Sequence, residues 1–255
     1  LQYEKKLIGD LSLGATWLPD GKNSDLINMY LTHNHDEVLM VDGVINRAGE
    51  QDVVDVNAVF EHFPLKVANV LFPEGELALD GDIDGHLHIT GSADAPKING
   101  ELILDSVTIF SKQAGAKFTL DSRPVVVKDS KIVFNDFAIY STDQNPFKIN
   151  GTVDITNLSE PVIDLKLTAS NYTLINAKRT KESILYGKLF VGVNATVRGT
   201  LDALKMRGNM SVLDNTDLTY VLTESPLTVQ DRLGDLVQFT SFRDTTEVHT
   251  DTIPR

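Results

Sequence analysis

Residues Glu76 to Gly91 read E-L-A-L-D-G-D-I-D-G-H-L-H-I-T-G and alternate between two kinds of side chain. The odd-numbered positions carry only leucine, isoleucine or glycine, and the even-numbered positions are polar apart from Ala78. A period of two places the two sets on opposite faces of a β-strand. The stretch therefore predicts a strand with one apolar and one polar face. Its glycines all lie on the apolar side, where they indicate a bend, a split or free space.

The same alternation recurs along most of the chain and predicts a protein built almost entirely of strands. The predicted strands and strand rows are Leu7–Trp17, Ile27–Thr32, Glu37–Val44, Val53–Phe60, 98–104, 118–120, Ile132–Tyr140, 147–156, 163–169, Leu189–Val197 and 204–212.

Local breaks in the pattern predict turns, a bulge and one helix. Pro19-Asp20-Gly21 and Asp42-Gly43 are typical turn sequences. The apolar parity changes near Asn135-Asp136, which predicts a β-bulge. Pro64 and Pro73 flank an apolar run, so a short helix is expected over 64–72, where it would cover an open end of the sheet. The run from Pro226 is compatible with a short helix or a strand.

An ungapped internal repeat relates Gly91–Gly100 to Gly199–Gly208. Each copy runs from a glycine through a turn to Lys, an apolar residue, a polar residue and a second glycine, and K-I-N-G recurs at Lys148–Gly151. Repeats of this kind indicate stacked units that complete one shared apolar face. We therefore expect a single elongated β-domain over residues 1–255, with repeat copies near 76–110 and 189–218 and a polar, disordered tail over 244–255.

Composition excludes several classes of function. The chain has 255 residues and a formal net charge of -13, with 36 acidic against 23 Lys and Arg residues, which argues against nucleic-acid binding and against adsorption to an anionic membrane through a basic patch. The chain has no cysteine, which rules out disulfides and thiolate chemistry. No apolar run approaches the roughly 18 residues of a transmembrane helix. Because the sequence starts at Leu1 without a leader, we expect a segment of a longer protein.

Two motifs suggest metal binding, and both are weak. Asp80–Gly85 has the oxygen spacing of a calcium loop, but position twelve is Gly91 and the flanks are strand-like. His33/His35 and His86/His88 are H-x-H pairs, which on a strand point the same way, yet no third ligand is specified. The sequence has no nucleophile elbow, P-loop or zincin motif. We therefore predict a non-enzymatic protein with no catalytic residues, no metal and no cofactor.

Three passages together resemble the TamB family, within the AsmA-like proteins that bridge Gram-negative envelopes. They are the run from Phe63 through the repeat to Leu102, the run from Lys131 to Gly151, and Leu185-Tyr186-Gly187-Lys188 with the strands after it. They are similar to the C-terminal half of TamB proteins, of the Bacteroidota type, over most of residues 60–240. Residues 1–60 fit less distinctively.

The resemblance implies an all-β fold in which an elongated curled sheet forms a half-open trough (a β-taco, β-helix-like), with one short helix. It implies a periplasmic location, as a fragment of an inner-membrane-anchored envelope protein. The role implied is to conduct phospholipid acyl chains toward the outer membrane, with a TamA-like outer-membrane barrel as partner. Contact with the membrane would then be made through parts of the full-length protein outside this sequence.

The apolar rows are the candidate groove, because a curled sheet with one uncovered apolar face binds acyl chains without specific polar contacts. The residues predicted to line it are Leu77, Leu79, Ile83, Leu87, Ile89, Ile98, Leu102, Phe147, Ile149, Val153, Ile155, Leu165, Val193, Val197, Met206 and Met210.

Three alternatives stay open at this point. The rows would form an ordinary closed core if they met a second sheet. The sheet would act as a chaperone-like scaffold for outer-membrane strands if its edge bound them by β-augmentation. A β-solenoid with a closed core would have a purely structural role.

Overall fold

A computed structural model of the chain describes residues 2–3, 6–7, 9–21, 23–47, 51–72, 76–93, 95–142, 144–180 and 183–221. The predicted tail over 244–255 and the segment from Pro226 lie outside these residues. Residues Leu1–Tyr220 form one compact unit, which excludes Val221–Arg255. The expectation of a single domain over 1–255 stays a prediction.

Sixteen strands account for most of the described chain. In order they are β1 (Gln2–Tyr3), β2 (Lys6–Leu7), β3 (Leu11–Pro19), β4 (Ser24–His33), β5 (Asp36–Asn46), β6 (Val53–Pro64), β7 (Leu77–Ser92), β8 (Ala95–Ser111), β9 (Ala116–Leu120), β10 (Val125–Lys128), β11 (Lys131–Tyr140), β12 (Phe147–Asp154), β13 (Val162–Ala177), β14 (Leu185–Thr200), β15 (Lys205–Val212) and β16 (Asp217–Tyr220). Two short 3₁₀ helices, Leu65–Leu71 and Leu201–Ala203, interrupt them.

Fourteen of the strands form one curled antiparallel sheet in the order β15-β14-β13-β12-β11-β10-β8-β7-β6-β5-β4-β3. The strand between β8 and β11 is built in two pieces, because β9 and β10 both pair with these two neighbours. β16 adds to β14, and β1 and β2 pair only with each other. The predicted all-β trough is thus confirmed, and strands that follow one another in the chain are mostly neighbours in the sheet.

A series of β-bulges bends the sheet. The extra residues on β6, β8, β11 and β13 are His62, Ser106, Asp136 and Asn171, with φ of 48°, 53°, 50° and 52°. Each of these bulges sets two residues of one strand against one of its neighbour, which bends the strand and increases its twist. Several bulged strands along one sheet curl it. The bulge predicted at Asn135-Asp136 is confirmed.

The two copies of the internal repeat occupy equivalent places in the β7–β8 and β14–β15 hairpins. Gly100 and Gly208 have φ of +146° and +148°. A Cβ on Gly100 would lie 2.1 Å from the carbonyl oxygen of His86, and one on Gly208 2.3 Å from that of Asn194. Only glycine permits this approach of two backbones. The same requirement therefore explains the second glycine in each copy of the repeat.

Three local expectations are corrected. Asp42-Gly43 is not a turn: both residues lie within β5, where Gly43 pairs with Ile27 and Val56. The chain turns instead at Asn34-His35, whose φ of 53° and 78° suits a tight hairpin. His35 is therefore a turn residue, and the strand argument for the His33/His35 pair is wrong. The first strand of the sheet starts at Leu11, not Leu7.

The predicted short helix is present as the 3₁₀ helix Leu65–Leu71, but it does not form a buried cap. None of its residues is buried. It is held by Asn69, whose amide donates to the carbonyl of Leu79 at 2.9 Å and accepts from the N–H of Leu79 at 2.7 Å. Polar bonds to the start of β7, and not apolar burial, fix its position.

Candidate functional site

The register of the sheet places the predicted apolar rows on one face, called here the apolar face. Residues directly opposite each other in an antiparallel pair lie on the same face. Val56 pairs with Ile89, which pairs with Ile98. At the other end of the sheet Leu165 pairs with Val197, which pairs with Met206.

Intervening strands connect these rows into a continuous surface. Leu102 pairs with Val125, Val127 with Ile132, and Ile132 with Val153. Since Trp17 also pairs with Ile27, Ile27 with Gly43 and Gly43 with Val56, the apolar face extends from β3 to β15.

Fifteen of the sixteen predicted groove residues lie in strands of this face. They are Leu77, Leu79, Ile83, Leu87 and Ile89 in β7, Ile98 and Leu102 in β8, Phe147, Ile149 and Val153 in β12, Leu165 in β13, Val193 and Val197 in β14, and Met206 and Met210 in β15. Ile155 follows the end of β12, and its N–H donates to the carbonyl of Ser130 at 2.8 Å. Whether any of them contacts lipid stays a prediction.

Most of these residues are neither buried nor fully exposed. Ile98 and Val193 are buried, Met206 and Met210 are 56% and 65% exposed, and the other twelve are intermediate. A second sheet packed face to face would bury such rows in a shared core. The half-burial is what the concave side of a curled sheet gives, where neighbours crowd each side chain and no second sheet of the described strands covers it.

One place on the apolar face is closed. Tyr172 in β13 is 3% exposed, its ring stacks on Phe118 at 6.3 Å, and it meets Phe147 edge-on at 5.6 Å between centroids. The N–H of Asn176 donates to the carbonyl of Ala114 at 2.9 Å. β13 thus reaches across to the β8–β9 turn and closes the sheet on itself locally.

Burial raises the pKa of the Tyr172 phenol to about 12, because the charged phenolate loses its solvent. Tyr172 packs with Val191, Val193 and Ala195 into the main buried cluster. Phe147 and Val193 therefore belong to this packed cluster.

Sequence reasoning missed a charged residue on the apolar face. Asp25 is only 9% exposed and pairs in register with Ile45. Its carboxylate accepts a hydrogen bond from Trp17 Nε1 at 2.8 Å and forms an ion pair with Arg47 at 2.8 Å. The guanidinium of Arg47 lies 5.6 Å from the Trp17 ring centre. The alternation of the strand could have revealed it, because Asp25 has the same odd-numbered parity as Ile27, Met29 and Leu31 and so lies on their face.

The opposite, polar face carries the motifs that resembled metal sites. His86 and His88 are exposed there, and His88 lies 2.8 Å from the carboxylate of Asp55. Asp84, from the calcium-like motif, accepts the N–H of the bulge residue His62 at 2.8 Å. Within the described residues, no group of three or more His, Asp or Glu side chains is placed to hold a metal ion. Asp84 thus has a structural role, which the loop spacing did not suggest.

Comparison with known families now adds to this geometry. Residues 135–253 match the model of the TamB C-terminal domain. The resemblance to the TamB family is confirmed over these residues. The match covers 119 of the 255 residues, from the β11 bulge onward, and the narrower resemblance to the Bacteroidota type stays a prediction. No curated protein and no solved structure matches the chain.

The resemblance indicates a coarse functional class. TamB proteins are non-enzymatic envelope proteins associated with transport and outer-membrane assembly. In the part of this chain that the structure describes, neither helix has the length and hydropathy needed to cross a membrane.

Proposed function

We propose that the apolar face of this chain binds phospholipid acyl chains and conducts them across the periplasm toward the outer membrane. The observation that carries the proposal is the apolar surface from β3 to β15, which is half-buried in its central strands and exposed at its two ends. Each CH₂ group moved from water onto such a surface is worth about 0.8 kcal/mol. Two acyl chains can therefore be held without a dedicated headgroup site, and a contact of this kind permits sliding.

The remaining parts of the proposal rest on the resemblance to the TamB family. A TamA-like outer-membrane barrel is the proposed protein partner, and the periplasm is the proposed compartment. Direct contact between the full-length protein and the inner membrane is assigned to segments outside this sequence. No catalytic step is needed, because transfer along the apolar face breaks no bond.

Photocrosslinking in cells tests the proposal with a matched pair of adjacent probes. Ile149 pairs with Phe137 and Leu167 on the apolar face, whereas Lys148 pairs with Ala138 and Thr168 on the polar face. We expect lipid adducts with a probe at Ile149 and none with a probe at Lys148. Absence of lipid at both positions, with Ile149 crosslinking only within its own chain, would point to a closed structural core and overturn the proposal.

A second function, β-augmentation of unfolded outer-membrane strands, has support from the sheet edges. β3 and β15 each pair with one neighbour in the described part of the chain, and all eight residues of β15 are exposed. An edge strand of this kind offers unpaired N–H and C=O groups to another chain. If peptides with alternating apolar and polar residues reduce lipid crosslinking at the Ile149 probe, the result would favour this alternative.

A further inference from the structure

The charge of the chain is divided between the two ends of the sheet. Residues 1–111 contain 19 acidic and 6 basic residues and so carry the entire net charge of -13. Residues 112–221 contain 14 basic and 11 acidic residues. Since β3 to β8 come from the first segment and β9 to β16 from the second, the sheet has an acidic end and a basic end.

The basic end concentrates its charge on the polar face of β12 to β15. Lys166 and Arg207 lie in one cross-strand row, separated by Thr196. In the next row Lys205 pairs with Arg198. These four cations and Lys148, on the same face of β12, are all exposed and are called here the basic surface.

Few acids offset the basic surface. Asp164 forms an ion pair with Arg198 at 2.9 Å, and Asp154 pairs with Lys131 at 3.7 Å at the margin of the surface. Asp136 is engaged by the amide of Asn150 at 3.1 Å.

The remaining cations are available to a ligand. Within the described ranges, none of Lys148, Lys166, Lys205 and Arg207 forms an ion pair. Each is therefore free to meet an external anion.

The acidic end does not cancel this field. Measured along the sheet, three strand steps separate β8 from β12 and five separate it from β14, which is about 14 Å and about 24 Å at a strand spacing of about 4.8 Å. The Debye length at physiological salt is only about 8 Å. The net charge of the whole chain therefore does not describe the local electrostatic potential at this end of the protein. The argument from composition against binding to anionic membranes does not apply to this end.

We propose that the basic surface docks the β15 end of the sheet on an anionic phospholipid bilayer. The inference rests on the proposed function, because it supplies the membrane contact at which acyl chains would leave or enter the apolar face. Each Lys or Arg near an anionic bilayer contributes roughly 1 kcal/mol. Four unpaired cations then give reversible binding of the kind that a transfer step requires.

Exposed apolar side chains on the same elements favour a bilayer over an acidic protein or a nucleic acid. Met206 and Met210 lie on the apolar side of β15, between and beyond its two cations. Leu201 and Leu204, in the connection before β15, are also exposed. Because β15 is the edge strand of the described sheet, its rim presents the cations of the polar face beside the methionines of the apolar face. Such a rim suits headgroups next to acyl chains, whereas an acidic protein would need only the cations.

Vesicle flotation with the whole chain tests the docking. The probes are phosphatidylcholine vesicles with and without phosphatidylglycerol, each at low and at high salt. We expect binding only to the anionic vesicles and weakening by salt. The double variant Lys166→Glu/Arg207→Glu should bind them at least about tenfold less tightly.

The matched control is Lys112→Glu/Lys117→Glu, which changes net charge equally but alters exposed residues of the β8–β9 turn and β9. We expect it to bind as the unaltered chain does. Equal losses in both variants, or no loss in the first, would overturn the docking proposal. So would self-association that the Lys166/Arg207 variant abolishes while vesicles are ignored, because the surface would then be a protein interface.

The Ile149 probe separates this proposal from the proposed function. A Lys166→Glu/Arg207→Glu chain that still yields lipid adducts at Ile149 but no longer floats has lost docking and kept its groove. A chain that floats normally but gives no lipid adduct would refute the groove and leave the docking surface intact.

Discussion

At the scale of single residues, Asp121 joins pieces of backbone that are well separated in the chain. Its carboxylate accepts from Arg123 Nε at 2.7 Å, from the N–H of Arg123 at 3.0 Å and from the N–H of Ala138 at 3.3 Å. Arg123 also donates to the carbonyl of Asp136, at the β11 bulge. The side-chain hydrogen bond from Arg123 holds the pKa of the Asp121 carboxyl below its ordinary value of 3.8, although burial opposes the shift.

Replacement of Asp121 by Asn should make the stability of this region less dependent on acid. A depressed pKa in the folded state means that the carboxylate contributes fully above its ordinary pKa and loses its contribution as pH falls through the folded value. We expect Asp121→Asn to cost about 1 to 3 kcal/mol near neutral pH, with a difference from the unaltered chain that shrinks on acidification.

Urea unfolding at a series of pH values measures this difference. Asp202→Asn, at an exposed residue before β15, is the control and should leave the pH profile unchanged. An identical profile for both variants would refute the role given to Asp121.

At the scale of elements, each bulge needs a partner for the N–H that its extra residue leaves outside the ladder. The N–H of His62 is accepted by Asp84, and that of Asp136 by Asn150, both at 2.8 Å. In each case the acceptor lies on the next strand and immediately precedes a glycine. At these two bulges, the Asp or Asn of an Asx-Gly pair accepts the N–H of a polar residue with positive φ, and this hydrogen bond stabilises the bend.

Loss of this acceptor should loosen the β11 bulge without unfolding the sheet. Asn150→Ala removes both side-chain hydrogen bonds to Asp136. A net loss of about 1 kcal/mol corresponds to roughly fivefold faster hydrogen exchange of the β11 amides near the bulge.

The matched control is Asn194→Ala, which removes an exposed amide from the same face of β14. Its β11 exchange rates should equal those of the unaltered chain. If both variants speed exchange in β11, the asparagine has no special function at the bulge.

At the scale of the whole molecule, the described part of the sheet has separate buried sites and no single core. Val56 and Ala58 are buried in β6, whereas the Tyr172 cluster lies in β13 and β14. Six strand steps, about 29 Å, separate β6 from β13. Each strand contacts mainly its neighbours, so we expect the stability of the sheet to be the sum of local contributions, as in repeat proteins.

A reciprocal pair of core substitutions tests this independence. Val56→Ala should speed hydrogen exchange in β5 to β7 and leave β13 and β14 unchanged, and Val191→Ala should do the opposite. Each substitution removes buried methyl groups and costs on the order of 1 to 2 kcal/mol at its own site. Uniform acceleration of exchange across the sheet by either variant would instead indicate one cooperative core.

Strand positions and their faces were predictable because both depend on a local period of two. The rows in β7, β12 and β14 carry their apolar residues at alternate positions, and the register then only aligns faces that each strand already has. The bulge at Asp136 was predictable for the same reason, since a bulge changes parity. The turn predicted at Asp42-Gly43 was wrong because a turn signal is local, whereas this glycine is required by the neighbouring strand. Gly43 lies opposite Val56, and a Cβ on Gly43 would be 2.3 Å from the carbonyl oxygen of Asp55.

The amino-acid sequence by itself determined the β-class, the two faces of the strands and the apolar surface, because each strand contains its own alternation of apolar and polar residues. Only the tertiary structure decided where that surface closes and where charge collects. The hydrogen bond between Ala114 and Asn176 joins the β8–β9 turn to β13, and the basic surface brings together Lys166, Arg198 and Arg207 from three strands. Such neighbours are set by register and curvature, which depend on bulges and long-range pairing and not on the composition of any one segment.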